Sequence, residues 1–584
     1  MDPTAPSPRA DEPPPAGDGA PGETRRGFIR DMALGAAAWS GVGLVGCGGG
    51  GGGGAGSPGA AFEHGVASGD PLADRVMLWT RVSTPEAEPT VTWELATDAN
   101  FATVVATGGT TTNAARDHTV KVDATGLQPG TRYWYRFTAG SATSPVGRTR
   151  TLPGASAAQV RLAVFSCANL PAGYFNVYAE AAKRDDLDAT VHLGDYLYEY
   201  SREQYAPANA AALNRQVLPA AEAVLLADYR ARHAQYKTDP DLQALHAAAP
   251  MIAVWDDHEV ANNAHRTGAQ NHQSATEGDF AVRKAAAVQA HHEWMPTRAA
   301  VAERIYRSFD FGSLLSLHML DTRLIGRDPQ LNHTSYFSAA GFDAAAFAAA
   351  VNDPARQLLG SEQTTWLQQQ LGASTAVWQV LGQQVLMGRM NVPVPIVAEF
   401  NRAGSGVTVA QYSAIVAKAR ADPASLTPAE RAILAQPSIA YNLDAWDGYA
   451  AAREALLATA RTLDKNLVVL AGDTHNAWAS DLLDAAGNKV GVEFATASVS
   501  SPGFEELLPN ENPTTLAAGL TELIGPLRYA DTSRRGFLLL TASASACRAD
   551  WVFVSTLSSR AYSAATGRSL QVLPGSGGRT IAEV

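Results

Sequence analysis

Residues 192–200 read HLGDYLYEY. The apolar approach from Thr190 to Leu193 stops at Gly194 and Asp195, and tyrosines follow at 196, 198 and 200. A strand that halts on an aspartate is either a capped strand end with packed aromatics or one arm of a metal site. The second reading requires partners elsewhere in the chain. RLAVFS leads to Cys167 and Asn169, and MIAVW to Asp256, Asp257, His258 and Glu259, with Asn262 and Asn263 just after. LLSLHML leads to Asp321 and Arg323, and LVVLAG to Asp473, His475 and Asn476. In open α/β sheets ligands bind beyond the carboxyl ends of the strands, so these five ends are expected on one rim.

One polar strand end is usually a cap or turn. Asp195 alone reads that way half the time; paired with Tyr198 it suits a hard Lewis-acidic cation such as ferric iron. Cys167 alone reads as a small buried apolar residue, and its place at a strand end beside Asn169 raises it to a ligand candidate. Cys547 has no such neighbours and is expected to be structural. His258 and His475 sit in polar clusters after apolar runs, whereas His233, His246, His291 and His292 fall in helical stretches as surface or packing residues. His258-Glu259 does not open a zincin motif, because position 262 is Asn. A serine-hydrolase elbow and a P-loop are both missing from the sequence.

The organisation around these strands is read from rhythm. RVMLWTRV (75–82), TVTWELAT (90–97), DHTVKVDA (117–124) and TRYWYRFTAG (131–140) are β-branched and aromatic runs separated by turn residues. They predict a small antiparallel β-sandwich over 61–153, of immunoglobulin or fibronectin type. The stretch 147–159 reads as its exit and linker. From 160 to 560 short apolar runs alternate with Ala-rich helical segments such as Ala220–Tyr236, Asp279–Glu293 and Ala445–Thr462, which predicts a layered α/β domain. Residues 561–584 read as a C-terminal tail.

The first sixty residues read as an address. Arg25 and Arg26, with Phe28 after them, resemble a twin-arginine export signal, and Met32–Gly46 is too short and weakly apolar to span a membrane as a mature helix. LVGC at 44–47 resembles a bacterial lipobox, in which Cys47 is lipidated; the alternative makes Cys47 an ordinary residue of the cleavage region. The glycine run 48–54 then serves as a tether. The G-x-G-x-x-G match at Gly41–Gly46 follows no strand and lies inside this signal, so it is not a dinucleotide site. The expectation is a chain exported by the twin-arginine machinery to the periplasm or exterior, anchored to the envelope by lipid.

Composition sets limits. With 584 residues, 46% of them hydrophobic, the chain can hold two or more domains with sizeable cores. A net charge of −12 argues against a general nucleic-acid binder but not against small anionic substrates, since bound cations reverse the local field. Three cysteines do not make a disulfide framework.

The strand-end set favours metal-assisted hydrolysis. Two cations bridged by one carboxylate, for which Asp195 is placed, can clamp a phosphate and acidify a water that attacks phosphorus in line. An Arg or His at the rim would offset charge on the phosphoryl oxygens.

These motifs together resemble the PhoD-type alkaline phosphatase/phosphodiesterase family, which is related to the purple acid phosphatases. The resemblance is carried by HGVASGDPLADRVMLWTR (64–81), FSCAN, GDYLYEY, WDDHEVANN (255–263), LDTR and GDTHNAW (472–478). It implies an N-terminal β-sandwich and a metallophosphatase domain holding Fe3+ with Ca2+. By motif, Cys167, Asp195 and Tyr198 would bind iron, with a further ligand from Asp473 or His475. Asp195 would bridge to the calcium side, where Asp257 (or Asp256) and Asn262 or Asn263 are candidates. His258, Arg323 and His475 would contact phosphate or protonate the leaving group. The Ala-rich region around 335–450 carries no motif and is expected to shape access and substrate choice. Small phosphate esters are the expected substrates; a phospholipase D-like activity on lipid head groups and a non-catalytic cell-surface binding protein are the alternatives.

Overall fold

The fold is that of a computed structural model, which describes residues 59–584 except 206, 299–302, 340 and 403. The export signal at Arg25 and Arg26 and the lipidation candidate Cys47 lie outside the described residues.

Two large mixed sheets face one another across the main core. In the first, the strands Gln159–Phe165, Ala189–His192 and Met251–Ala253 run parallel side by side. Their registers align Phe165 with His192 and His192 with Ala253, so all three end on one line. In the second, Leu315–Met319, Trp378–Gly382, Leu467–Ala471 and Lys489–Ala495 are parallel neighbours, and Gly382, Leu470 and Phe494 share a row. Alternation assigns the faces. Val160, Leu162 and Val164 point into the core between the sheets, and Ala163 and Phe165 into a layer of helices outside. Val468 and Leu470 meet the first set, and Leu467, Val469 and Ala471 turn to the opposite helices. Strands with apolar residues on both faces are the pattern of a sheet covered on both sides.

The helices form close to where they were expected. Phe280–Trp294 begins on Asp279, whose side chain accepts from the Ala281 amide, and Ala450–Thr462 follows a short 3-10 turn at Trp446–Tyr449. Leu226–Lys237 starts later than the expected position 220.

The N-terminal segment supplies two layers. One holds Thr90–Ala96, Val104–Thr111, Arg132–Ala139, Ala142–Thr143 and Gly147–Arg150; the stretch expected as a linker from 147 therefore begins as a strand paired with Arg132–Tyr135. The other holds Val66–Gly69, Arg75–Arg81 and Thr119–Thr125, and it is continuous with the first large sheet, Gly69 pairing with Met251. The SGDP part of the 64–81 motif is thus a clasp between bodies. Buried Asp70 accepts from Arg307 Nη2 at 2.6 Å and Nε at 2.8 Å, and from the Arg298 amide at 2.6 Å.

At the other edge the expected tail is part of the sheet. Ala564–Val572 pairs antiparallel with Cys547–Val554, and Ala582–Glu583 adds a last strand. Its solvent-facing polar residues hid it, because an edge strand needs only one apolar face. No helix among the described residues is long and apolar enough to cross a membrane.

Candidate metal centre

The aligned strand ends put the expected side chains in one place. Cys167 follows its strand, Asp195 and Tyr198 follow theirs, and Asp256, Asp257 and His258 follow the third. From the opposite sheet come Arg323, Asp473 and His475. The two rims are tied together: Gln384 Nε2 donates to the Trp255 carbonyl at 2.6 Å, and Trp255 Nε1 to Asp321 Oδ2 at 3.1 Å.

A strand that simply continued would alternate its side chains away from the rim. Cys167, Asp195, Asp473 and His475 instead adopt left-handed backbone, with φ of 62°, 52°, 60° and 63°. Such conformations cost about 1–3 kcal/mol each for non-glycine residues and persist where the surroundings fix them. Gly194, at φ 104°, makes the sharpest turn, and a Cβ there would lie 2.3 Å from the Asp256 amide nitrogen.

Among the described residues, three groups each bring their potential ligand atoms within 4.8 Å of one another: Cys167, Asp195 and His475; Asp195, Asp257 and His258; and Asp256, Asp257 and Asp473. All are buried. Asp195 belongs to the first two groups and Asp257 to the last two, so the clusters form one chain. Tyr198 joins the first: its hydroxyl donates to Asp195 Oδ2 at 3.0 Å, lies 3.2 Å from His475 Nε2 and accepts from Ser501 Oγ at 2.6 Å. Of the alternatives the sequence left open, His475 groups with Cys167, and Asp473 with the aspartate pair. Asn263 donates its backbone N–H to Asp257 Oδ2 at 2.6 Å, while Asn262 donates its own to Glu199; both side chains line the cavity over the centre.

Arg323 does not sit where it was expected. It is fully buried and does not line the cavity. Its Nε donates to Asp256 Oδ1 at 2.5 Å, Nη1 to Asp444 Oδ1 at 2.9 Å and Nη2 to Asp473 Oδ1 at 3.0 Å. A guanidinium whose donors are shared among three carboxylates holds those carboxylates in place. Burial works against its charge, yet Asp256, Asp444, Asp257 and Asp473 hold its pKa well above the usual value.

Asp444, Glu199 and Ser501 were not singled out in the sequence, and Glu259 was noted there without a role. Asp444 comes from the motif-free region and completes the Arg323 clamp. Glu199, inside the opening stretch, accepts His258 Nδ1–H at 2.6 Å and the Asn262 amide at 2.7 Å. Glu259 accepts three backbone N–H groups, from Asp195, Tyr196 and Asp256, and pins two strand ends together; burial raises its pKa to about 7. Ser501 lies beyond Lys489–Ala495, a sixth strand end with no ionisable residue to betray it. Cys547 is buried in the core between the sheets, as expected.

The donor set fits cations. Five aspartates (195, 256, 257, 444 and 473) converge, and the guanidiniums of Arg323 and Arg327, the latter on Asp444, are too little positive charge for so many buried carboxylates. Burial, reinforced by Asp195, pushes the Cys167 thiol and the Tyr198 hydroxyl well above their ordinary pKa; a cation is what would hold them ionised. Burial likewise raises Asp256, whose Oδ2 has no hydrogen-bond partner among the described residues. Over the centre opens a cavity of about 830 Å³.

Known proteins resemble the chain over most of its length. Residues 162–551 match the family model described as PhoD-like phosphatase, and 54–153 match its N-terminal domain. The chain is 37% identical to alkaline phosphatase D of Bacillus subtilis (strain 168) over 462 residues, covering 76% of this chain and 70% of that protein. A solved structure titled "Structure of PhoD" superposes with a TM-score of 0.71 at 32% identity, over 90% of this chain and 92% of that one.

Proposed function

The chain belongs to the PhoD-like phosphatase family and hydrolyses phosphate esters, and from that premise we propose how its residues divide the work. Cys167, Asp195, Tyr198 and His475 would hold one cation, ferric iron by family resemblance. Asp257, Asp473 and the Asn262–Asn263 turn would hold a second, calcium by the same resemblance, with Asp195 as the carboxylate common to the two sides. The carrying observation is that the Asp195 carboxylate groups with Cys167 and His475 on one side and with Asp257 and His258 on the other, as a carboxylate shared by two cations would. Such a pair of bound cations supplies Lewis acidity that draws charge from the phosphoryl oxygens and acidifies water.

The chain's own groups do the rest. His258 lines the cavity, and Glu199 holds its ring through Nδ1 in an orientation from which the imidazole would protonate the departing oxygen. Arg323 positions Asp256, Asp444 and Asp473. Ser501 orients the Tyr198 hydroxyl. Export by the twin-arginine route and lipidation at Cys47 complete the proposal, supported by the sequence around Arg25, Arg26 and Cys47; replacing Cys47 by serine should release the protein from membranes. The hydrolytic assignment is tested with p-nitrophenyl phosphate and its bis-ester at alkaline pH, using metal-loaded protein. Inertness on both would overturn it.

A further inference from the structure

A phosphate group fills only a small part of the 830 Å³ cavity, and the remainder has a definite chemical character. One wall carries Phe400, at the end of the helix Val394–Asn401, and Tyr441. Their rings meet edge to face with centroids 6.0 Å apart, and both rest on Phe504, at 5.7 and 6.1 Å. Mutual contact of this kind holds an aromatic surface in one orientation. Beside it lie three carboxamides on the cavity lining: Gln330, Asn332 and Asn442.

The amides are half committed. Asn332 Oδ1 accepts from the Thr334 amide at 3.0 Å and Asn442 Oδ1 from the Asp444 amide at 3.0 Å. With their oxygens turned to backbone, both groups keep Nδ2 hydrogens that make no hydrogen bond among the described residues. Gln330 is the complement, because its Oε1 is buried and has no partner there. His333 Nε2 contacts the Ala440 carbonyl at 2.8 Å, which fastens the loop bearing Gln330 and Asn332 to the loop bearing Tyr441 and Asn442. An aromatic face next to fixed donors and an unsatisfied acceptor is the equipment for a planar ring with a polar edge.

The patch is also at the right place. Asn442 is two residues from Asp444, whose carboxylate is held by Arg323, and two residues span at most about 7 Å. Arg323 in turn holds Asp473 at 3.0 Å. A ring against Phe400 and Tyr441 shares one cavity with Asp473 and His475.

We propose that this wall is a leaving-group subsite for phosphate esters of nucleoside-like alcohols, the heteroaromatic ring stacking on Phe400 and its edge reading Gln330, Asn332 and Asn442. The inference rests on the phosphatase reading above and narrows its substrate class. The test compares kcat/KM for adenosine 5′-monophosphate, phenyl phosphate and glycerol 3-phosphate in metal-loaded wild type, Phe400→Ala and Gln330→Leu. Loss of one stacking surface should lower the ratio of the nucleotide to glycerol phosphate about tenfold. Gln330→Leu should lower the nucleotide relative to phenyl phosphate, which has no polar edge. If glycerol phosphate is the best of the three in the wild type, or if Phe400→Ala slows all three alike, the subsite is wrong. Calorimetric titration with adenosine separates the two levels: saturable binding that Phe400→Ala weakens supports the subsite even in a protein that turns over no ester, and undetectable binding overturns it.

Discussion

Nδ1 of His258 lies 2.6 Å from Glu199 Oε2, and the two side chains are 1% and 0% exposed. A carboxylate in this position fixes which ring nitrogen carries the shared hydrogen and holds the plane of the ring. Glu199 is itself fixed by the Asn262 amide at 2.7 Å and Asn271 Nδ2 at 3.2 Å. Glu199→Gln keeps the shape but weakens that hold. Its effect should grow with the basicity of the alcohol that leaves: at least about tenfold on kcat/KM for alkyl esters and much less for p-nitrophenyl phosphate. An equal loss on both would point to general disruption instead.

Gly194 turns the chain between strand and ligand. A Cβ at this position would meet Asp256 N at 2.3 Å and Asp256 Cβ at 2.4 Å, and its φ is 104°. Neither the backbone nor the neighbour can give way without moving Asp195 or Asp256. Gly194→Ala should therefore lower both metal content and turnover, measured on purified protein, by more than any substitution at exposed Gly404.

Arg323 is the pivot of the buried charges. Removing it leaves Asp256 and Asp473 without a guanidinium partner, while Asp444 keeps Arg327, and breaking such a buried pair costs about 3–5 kcal/mol. Arg323→Met should lower unfolding stability by that order in urea titrations and reduce turnover as well. Unchanged stability would mean that the clamp contributes nothing.

Stability should also fall in acid. Burial lowers the pKa of His192 to about 3 and of His233 to about 3, from 6.5. Both are neutral in the folded protein, while the unfolded chain binds their protons below pH 6.5. The stability they contribute is complete above pH 6.5 and is lost as the pH falls from there towards 3, about one proton per histidine. Urea midpoints measured across that window should decline, and His233→Phe, whose ring keeps the stack on Trp294, should flatten the slope.

The parts of the fold that were legible are those where pattern and chemistry coincide. Apolar runs ending in Cys167, Asp195, Asp257 and His475 announced the strands and the convergence of their ends, because a covered parallel strand is apolar on both faces and its end is where polar groups begin. What stayed hidden depends on long-range placement. Asp444 follows no apolar run, and only the folded chain brings it to Arg323, 121 residues away in sequence. Arg323 itself looked like a phosphate contact because sequence does not reveal how many carboxylates surround a guanidinium. Ser501 carries no ionisable group, and Ala564–Val572 alternates too weakly to read as a strand. The left-handed turns at Cys167, Asp195 and His475 occur on residues with no glycine-like signature.

The central claim is that Asp195 is shared by two cations. Metal content and turnover of Asp195→Ala, measured on the same preparation beside the wild type, test it most directly. The account predicts about two bound cations per wild-type chain, and loss of both metal and phosphoester hydrolysis in the variant. A variant that keeps its metal and hydrolyses p-nitrophenyl phosphate at the wild-type rate would contradict it.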